Sequence, residues 1–167
     1  METLTNGVLQ LKRLTLADAP AFYALYALPE VGGHFDQSPF LPGETAVDFT
    51  RRIITHCAFI WTIRLCAQPE VIIGDAALHH YDPQGRQIEI GGSLLPPYWG
   101  KNLMRQAFEL LIDFAGHTLN VERIIGKTSP GNSQAISMVK KLGFQSVGVI
   151  GNELILRKTI RQQPADQ

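Results

Sequence analysis

The sequence predicts a single α+β domain with a mixed, mostly antiparallel sheet of about seven strands flanked by helices. Three observations carry this. Between Phe59 and Leu95, strand-like segments follow one another through tight turns. Leu103, Ala107, Leu110, Leu111 and Phe114 recur at helical spacing. The chain then runs strand, helix, strand, strand, which sets a late strand–helix unit beside the antiparallel run.

In order, Gly7–Leu14 alternates as a strand should, and Asp18 with Pro20 marks the start of a helix that runs through Leu28. Gly32–Glu44 is a long Gly/Pro-rich loop of the kind that carries function. A second helix covers Thr45–His56, with Thr45 and Asp48 spaced as a capping box. In the next strand Phe59, Trp61, Ile63 and Leu65 share one face, and Thr62, Arg64 and Cys66 the other. Val71–Tyr81 and Gln87–Leu95 follow, joined by the turn "DPQGR". After the helix that starts at Lys101–Leu103 come a strand in "VERIIGKTS" and a short helix in "GNSQAISMVKKLGF". Gly143 is its left-handed stop and Phe144 the apolar contact that follows one. "FQSVGVI" and "NELILRKTI" close the domain as a hairpin, giving a domain over 1–160 and a disordered tail over 161–167.

Composition removes several classes. With 167 residues, 45% hydrophobic, 18% charged and zero formal net charge, the chain describes a globular protein without a phosphate-neutralising surface, so no nucleic-acid partner is expected. Cys57 and Cys66 read as free thiols in a reducing compartment. No export signal opens the chain and no apolar run reaches membrane-spanning length, so the expected location is the cytoplasm, with no membrane partner.

The chemistry concentrates in "SLLPPYWGKNLMRQAF". Pro96 and Pro97 end a strand, Gly100 lets a ligand approach the backbone, and a helix starts at once. Its first N–H groups and its dipole make an anion site, with Lys101 adding charge; a plain strand–turn–helix is the competing reading. No GxxxxGK[ST] occurs, which disfavours ATP chemistry.

"IEIGGSLLPPYWGKNLMRQAFELLIDFA" with "NVERIIGKTSPGNSQAISMVKKLGF" resembles the core of GNAT-superfamily N-acetyltransferases, and most resembles the RimJ/RimL-like branch. "LQLKRLTLADAPAFYALYALPEV" fits that branch's opening strand and helix, so the resemblance reaches to about Lys158. It implies a GNAT-like fold, acetyl-CoA as cofactor and a primary amine as acceptor, either a protein N-terminus or a small molecule. The family's Q/R-x-x-G-x-G/A pattern, whose amides cradle the coenzyme A pyrophosphate, falls on Trp99, Gly100, Lys101, Asn102, Leu103 and Met104. The sequence departs from it at Asn102 and Met104, which bears on affinity more than on fold. Asn tolerates a left-handed backbone, and Met104 can turn into the core. The resemblance also places Asn132 beside the cofactor, where it doubles as a helix N-cap. Val139 stands where many relatives carry a proton-donating Tyr.

Acetyl transfer needs a neutral amine, a proton acceptor and a donor for the oxyanion. A strand amide near Leu94 or Leu95 suits the last role. Glu89 is the candidate base, with a surface carboxylate as the alternative, and His80 is the weaker candidate. Strand alternation would send His79 and His80 to opposite faces, so that at most one serves. No carboxylate–His spacing supports a metal site. The resemblance implies that His34, Phe35 and Asp36 in the long loop border the acceptor cleft, with a mobile loop and one Phe packed inward as the alternative. It also implies that Lys140 and Lys141 reach the 3′-phosphate of coenzyme A, with a solvated helix end as the alternative. The rival function is a catalytically silent CoA-binding module of the same fold. A homodimer is compatible with the sequence, which identifies no interface.

Overall fold

The computed structural model describes residues 3–33 and 38–160. One sheet of eight strands runs in the order β1-β2-β3-β4-β5-β6-β8-β7. Strands β1 (Leu4–Thr5), β2 (Leu9–Arg13), β3 (Phe59–Leu65), β4 (Gly74–Asp82) and β5 (Gln87–Leu94) pair in succession, each antiparallel to the last. β5 then pairs in parallel with β6 (Arg123–Thr128). The closing hairpin of β7 (Gln145–Ile150) and β8 (Glu153–Thr159) docks through β8 on β6, which leaves β7 at the edge. The α+β domain with a mixed, mostly antiparallel sheet is therefore the observed fold. The strand beyond the expected seven is β1, whose two residues pair with Gln10 and Leu11 and are too short to show a period.

The helices begin and end for local reasons. A 3-10 turn at Leu16–Asp18 precedes α1 (Ala19–Ala27). The expected continuation through Leu28 fails because Leu28 precedes Pro29 and is forced to an extended ψ of 129°. The chain re-enters a short helix, α2 (Pro29–Gly32). α3 (Ala46–His56) carries the capping box read from the sequence: the Asp48 amide donates to Thr45 Oγ1 at 3.1 Å and the Thr45 amide to Asp48 Oδ2 at 3.3 Å. α5 (Ser133–Lys141) ends at Gly143, at φ 94°, and Phe144 beyond it is 2% exposed. β4 opens at Gly74 instead of Val71: a Cβ there would lie 2.3 Å from Ser93 O, so the strands meet closely where only glycine fits.

The sheet buries both faces. On one, α4 (Leu103–His117) lays Ala107 and Leu111 over Trp61, Ile63, Leu78 and Ile88. On the other, Phe22 of α1 stacks on Phe49 of α3 at 5.3 Å above Ile60 and Ala77. β3 consequently has no solvent face: Thr62 is 0% exposed and donates to Lys12 O at 3.0 Å. Arg64 beside it pairs with Asp18 at 3.0 Å and ties β3 to the start of α1. Among the described residues, no helix is long and apolar enough to cross a membrane.

Phe49 also meets Tyr23, Tyr26 and Phe40, so it joins both helices and the loop to the sheet. Phe49→Ala should destabilise the chain by about 3–5 kcal/mol in urea unfolding, as cavity formation predicts for a buried Phe. A loss under 1 kcal/mol would show that α1 and α3 do not depend on it.

Candidate active site

β5 organises the candidate site. Its parallel register with β6 covers Gln87–Ile90 against Arg123–Gly126 and goes no further, although β6 continues to Thr128 and β5 to Leu94. On its other edge β5 stays paired with β4 as far as Gly74↔Leu94. Gly91–Leu94 thus present to β6 an edge with no strand partner among the described residues, and the sheet opens there.

The turn that follows leaves backbone amides without partners. Pro96–Tyr98 forms a 3-10 turn, Gly100 sits at φ 74° with open space where a Cβ would go, and Asn102 at φ 63° is the N-cap of α4. The Asn102 side chain makes no capping hydrogen bond and the first turn of α4 holds no acidic residue, whereas α3 has both devices. The first amides of α4 therefore lack the intrahelical and side-chain partners that would satisfy them. Lys101 folds its ammonium over the Tyr98 ring at 5.8 Å. Trp99 donates from Nε1 to Leu94 O at 2.7 Å, which locks the strand end and leaves its ring half exposed. Leu103 is buried, and Met104 turns its Cε and Sδ toward Gly92, 3.3 Å from where a Cβ would stand. Leu95 needs correction as an oxyanion donor: its amide donates to Ile73 O at 2.8 Å and belongs to the sheet. Of that pair, Leu94 is left for the role.

Toward the other end of β5, on the face covered by α1 and α3, Glu89 gathers three cations or potential cations. Lys127 reaches Oε1 at 2.9 Å, while His80 Nδ1 and His79 Nε2 approach Oε2 at 2.9 and 3.5 Å. The alternation that would have parted the histidines does not hold. The β4–β5 ladder shifts register between His79 and Asp82, and His80 adopts φ 51°, which turns its ring to the side of His79. Burial pushes the Glu89 carboxyl up, but hydrogen bonds and charge from Lys127 and His80 outweigh it and hold the group below the ordinary carboxylate range. Burial drives His79 down despite the Glu89 charge, so its imidazole is biased to the neutral form.

Four residues along β5, about 13 Å at strand rise, a second polar cluster lies on the same face. Asp75, 2% exposed and opposite Ser93 in register, accepts the Tyr26 hydroxyl at 3.1 Å on both oxygens, and Ser93 Oγ donates to Tyr26 at 3.4 Å. Burial raises the Asp75 carboxyl to about 7 and lifts the Tyr26 hydroxyl well above its ordinary value. Sequence reasoning missed Tyr26, Asp75, Ser93 and Lys127. Asp75 had a signal, as the one charge inside "VIIGDAAL". Lys127 had none, because its approach to Glu89 depends on the β5–β6 register.

The remaining expected residues lie on or beside α5. Asn132 accepts from the Ala135 amide at 3.3 Å as the N-cap, which leaves its Nδ2 donors unused by the cap. An open groove runs along this helix between Pro130, Ser133, Ile136, Ser137, Lys140 and Lys141. Val139 points into the core at 7% exposure. His34 and Phe35, like the tail 161–167, lie outside the described residues.

Comparison with known proteins agrees with this geometry. Residues 9–145 match the model of the family described as acetyltransferase (GNAT) domain. The chain is 29% identical over 154 residues to the uncharacterized N-acetyltransferase p20 of Bacillus licheniformis, covering 90% of this chain and 86% of that one. Its fold is similar to that of the ribosomal-protein-S5-alanine acetyltransferase from Vibrio fischeri (TM-score 0.76, 18% identity, 95% of this chain and 97% of that one). It is also similar to the spermidine N-acetyltransferase from Vibrio cholerae in complex with CoA and spermine (TM-score 0.76, 17% identity, 92% and 96%).

A buried carboxyl displaced to about 7 binds its proton more tightly in the folded chain than in the unfolded one, where Asp titrates near 4. Its contribution to stability is full below about 4, falls as pH rises and is gone above about 7. Asp75→Asn should therefore gain stability relative to the native chain between those values and hold the gain above them, by up to about 4 kcal/mol. Urea unfolding of both chains at pH 4.5, 6 and 8 measures the difference. A pH-independent difference would mean that Asp75 titrates normally.

Proposed function

The chain belongs to the acetyltransferase (GNAT) domain family, and on that premise we propose that it is an N-acetyltransferase that moves acetyl from acetyl-CoA to a primary amine by direct attack. The observation that carries the reading is the conjunction at one end of β5. A strand edge left open by β6 runs into a left-handed Gly100–Asn102 turn, which launches α4 without a side-chain cap. The backbone of Gly100, Lys101, Asn102 and Leu103 is suited to hold a pyrophosphate, with the Trp99 ring and Met104 shaping the turn. Asn132 and Lys140 stand along α5 for the rest of coenzyme A, and Leu94 for the thioester end. Acetyl-CoA, when bound, supplies an acyl carbon already activated by its thiol leaving group.

The chain's own residues then have to receive and deprotonate an amine. Glu89, kept ionised by Lys127 and His80, attracts a cationic acceptor. A carboxylate so depressed is a weak base alone, and the His80 imidazole on its Oε2 gives the proton a route out, since that ring is 60% exposed. Asp75 and Tyr26 add a second polar station on the acceptor side. The acceptor is a protein N-terminus or a small amine. The finer placement in the RimJ/RimL-like branch is supported by the opening strand and helix, with a fold likeness to the ribosomal-protein-S5-alanine acetyltransferase.

Calorimetric titration with acetyl-CoA should show micromolar binding by the native chain and none by Gly100→Trp, since the side chain would fill the cradle and strain a φ of 74°. Thiol release with a panel of amines should fall about 10²–10⁴-fold in kcat/KM in Glu89→Gln, with acetyl-CoA affinity unchanged, and less in His80→Asn. A folded native chain that binds no acetyl-CoA overturns the reading. Binding without thiol release from any amine would instead make the chain a silent CoA-binding module.

A further inference from the structure

We propose that His79, His80 and Glu89 form a binding site for a divalent transition-metal ion of zinc-like preference. Among the described residues theirs are the metal-ligand donor atoms that come together as a group of three, all within 4.8 Å of one another. Zn²⁺ bound at about 2.0–2.1 Å to nitrogen and oxygen in a tetrahedron sets neighbouring donors about 3.3 Å apart. The measured edges, His80 Nδ1 to Glu89 Oε2 at 2.9 Å and His79 Nε2 to the same oxygen at 3.5 Å, bracket that value. The edge between the two imidazole nitrogens lies within 4.8 Å, so an ion would draw the rings around the shared carboxylate oxygen. Two imidazoles and one carboxylate make an N,N,O set that favours zinc, and related first-row ions, over magnesium or calcium. The site would keep a fourth position for water, because the exposed His80 ring borders solvent.

The donor set exists because of a local departure from strand geometry. A positive φ at a bulky residue costs energy and persists only where the surroundings hold it. At His80 the register shift of the β4–β5 ladder, with the contact to Glu89, holds it. Spacing along the chain does not reveal the group, because Glu89 is brought across from β5 by its pairing with His79. The expectation of no metal site came from that spacing, and the three-dimensional group replaces it. Lys127 is the opposing element. Its ammonium sits 2.9 Å from Glu89 Oε1 and competes electrostatically with a dication, but the side chain is 40% exposed and has solvent beside it. A bound ion would occupy the carboxylate oxygen proposed to serve the amine, so zinc would silence acetyl transfer. That consequence rests on the proposed function; the binding itself does not.

The test is titration of the full chain with zinc chloride against a chromophoric chelator, with circular dichroism on every variant. The expected result is one site of micromolar affinity in the native chain. His79→Asn, His80→Asn and Glu89→Gln should each weaken it at least tenfold, His117→Asn should leave it unchanged, and Lys127→Met should tighten it several-fold. Cobalt(II) gives a second readout independent of the chelator: strong visible absorption in the native chain, lost in the folded His79→Asn/His80→Asn double variant. No zinc binding by the native chain at millimolar concentration, or binding retained in that double variant, overturns the proposal. Zinc binding in a chain that releases no thiol with any amine would uphold the site and defeat only the reading of acetyl transfer.

Discussion

The feature on which the rest of the structure depends is the unequal pairing of β5. One edge is bound to β4 along its whole length, while the other loses β6 after Ile90↔Gly126. Backbone N–H and C=O groups left without partners inside a sheet are costly, so an interior strand with an open edge is stable only if another group can occupy it. Everything downstream follows from that edge. The chain must leave the sheet abruptly, which Pro96 and Pro97 enforce. It must then start α4 close to the gap, which requires the left-handed residues Gly100 and Asn102. The Trp99 indole fixes the departure point by taking the last strand carbonyl.

The same strand pair sets two carboxyls on one face and drives them in opposite directions. Glu89 is pulled down by Lys127 and His80 against its burial, and Asp75 is pushed up to about 7 by burial, which outweighs its hydrogen bonds from Tyr26 and the Ser93 backbone. Titratable groups whose environments separate their affinities for the proton are the usual sign of divided acid and base labour. Here register sets the two carboxyls on one face, and their different neighbours and burial separate them. Asp75 faces Ser93 and His79 faces Glu89, with the small pair Ala77 and Gly91 between them. Ala77 lies beneath the aromatic cluster of α1 and α3, so the two carboxyls occupy separate environments at either side of a packed stretch of the face.

What the sequence discloses and what it hides divide along the range of the interactions. The capping box of α3, the Gly143 stop of α5 and the strand–turn–helix at Gly100 are local, and each was readable because its chemistry lies within a few consecutive residues. The misread features depend on partners far along the chain. Leu95 looked available until its amide was found bonded to Ile73. His79 and His80 share a face, against the alternation that would part them, because a bulge defeats the period-2 rule. Lys127 and Glu89 meet only through a parallel pairing whose register no local pattern announces. Tyr26 and Asp75, 49 residues apart, meet because α1 packs over β4.

Asn102 and Met104 at the turn show how long-range packing accommodates a local irregularity. Asn102 stands in the left-handed region that ordinarily favours glycine, at φ 63°, where Asn is among the least penalised residues. Met104 follows in the first turn of α4, where a large side chain aimed at the turn would close it. It does not close it, because the bulk is directed at Gly92 of β5, where the missing Cβ leaves room for Sδ and Cε. Volume absent from the strand is supplied by the helix, as close packing demands. The shape of the turn thus depends on a contact between strand and helix, and Met104 and Gly92 have to be read together.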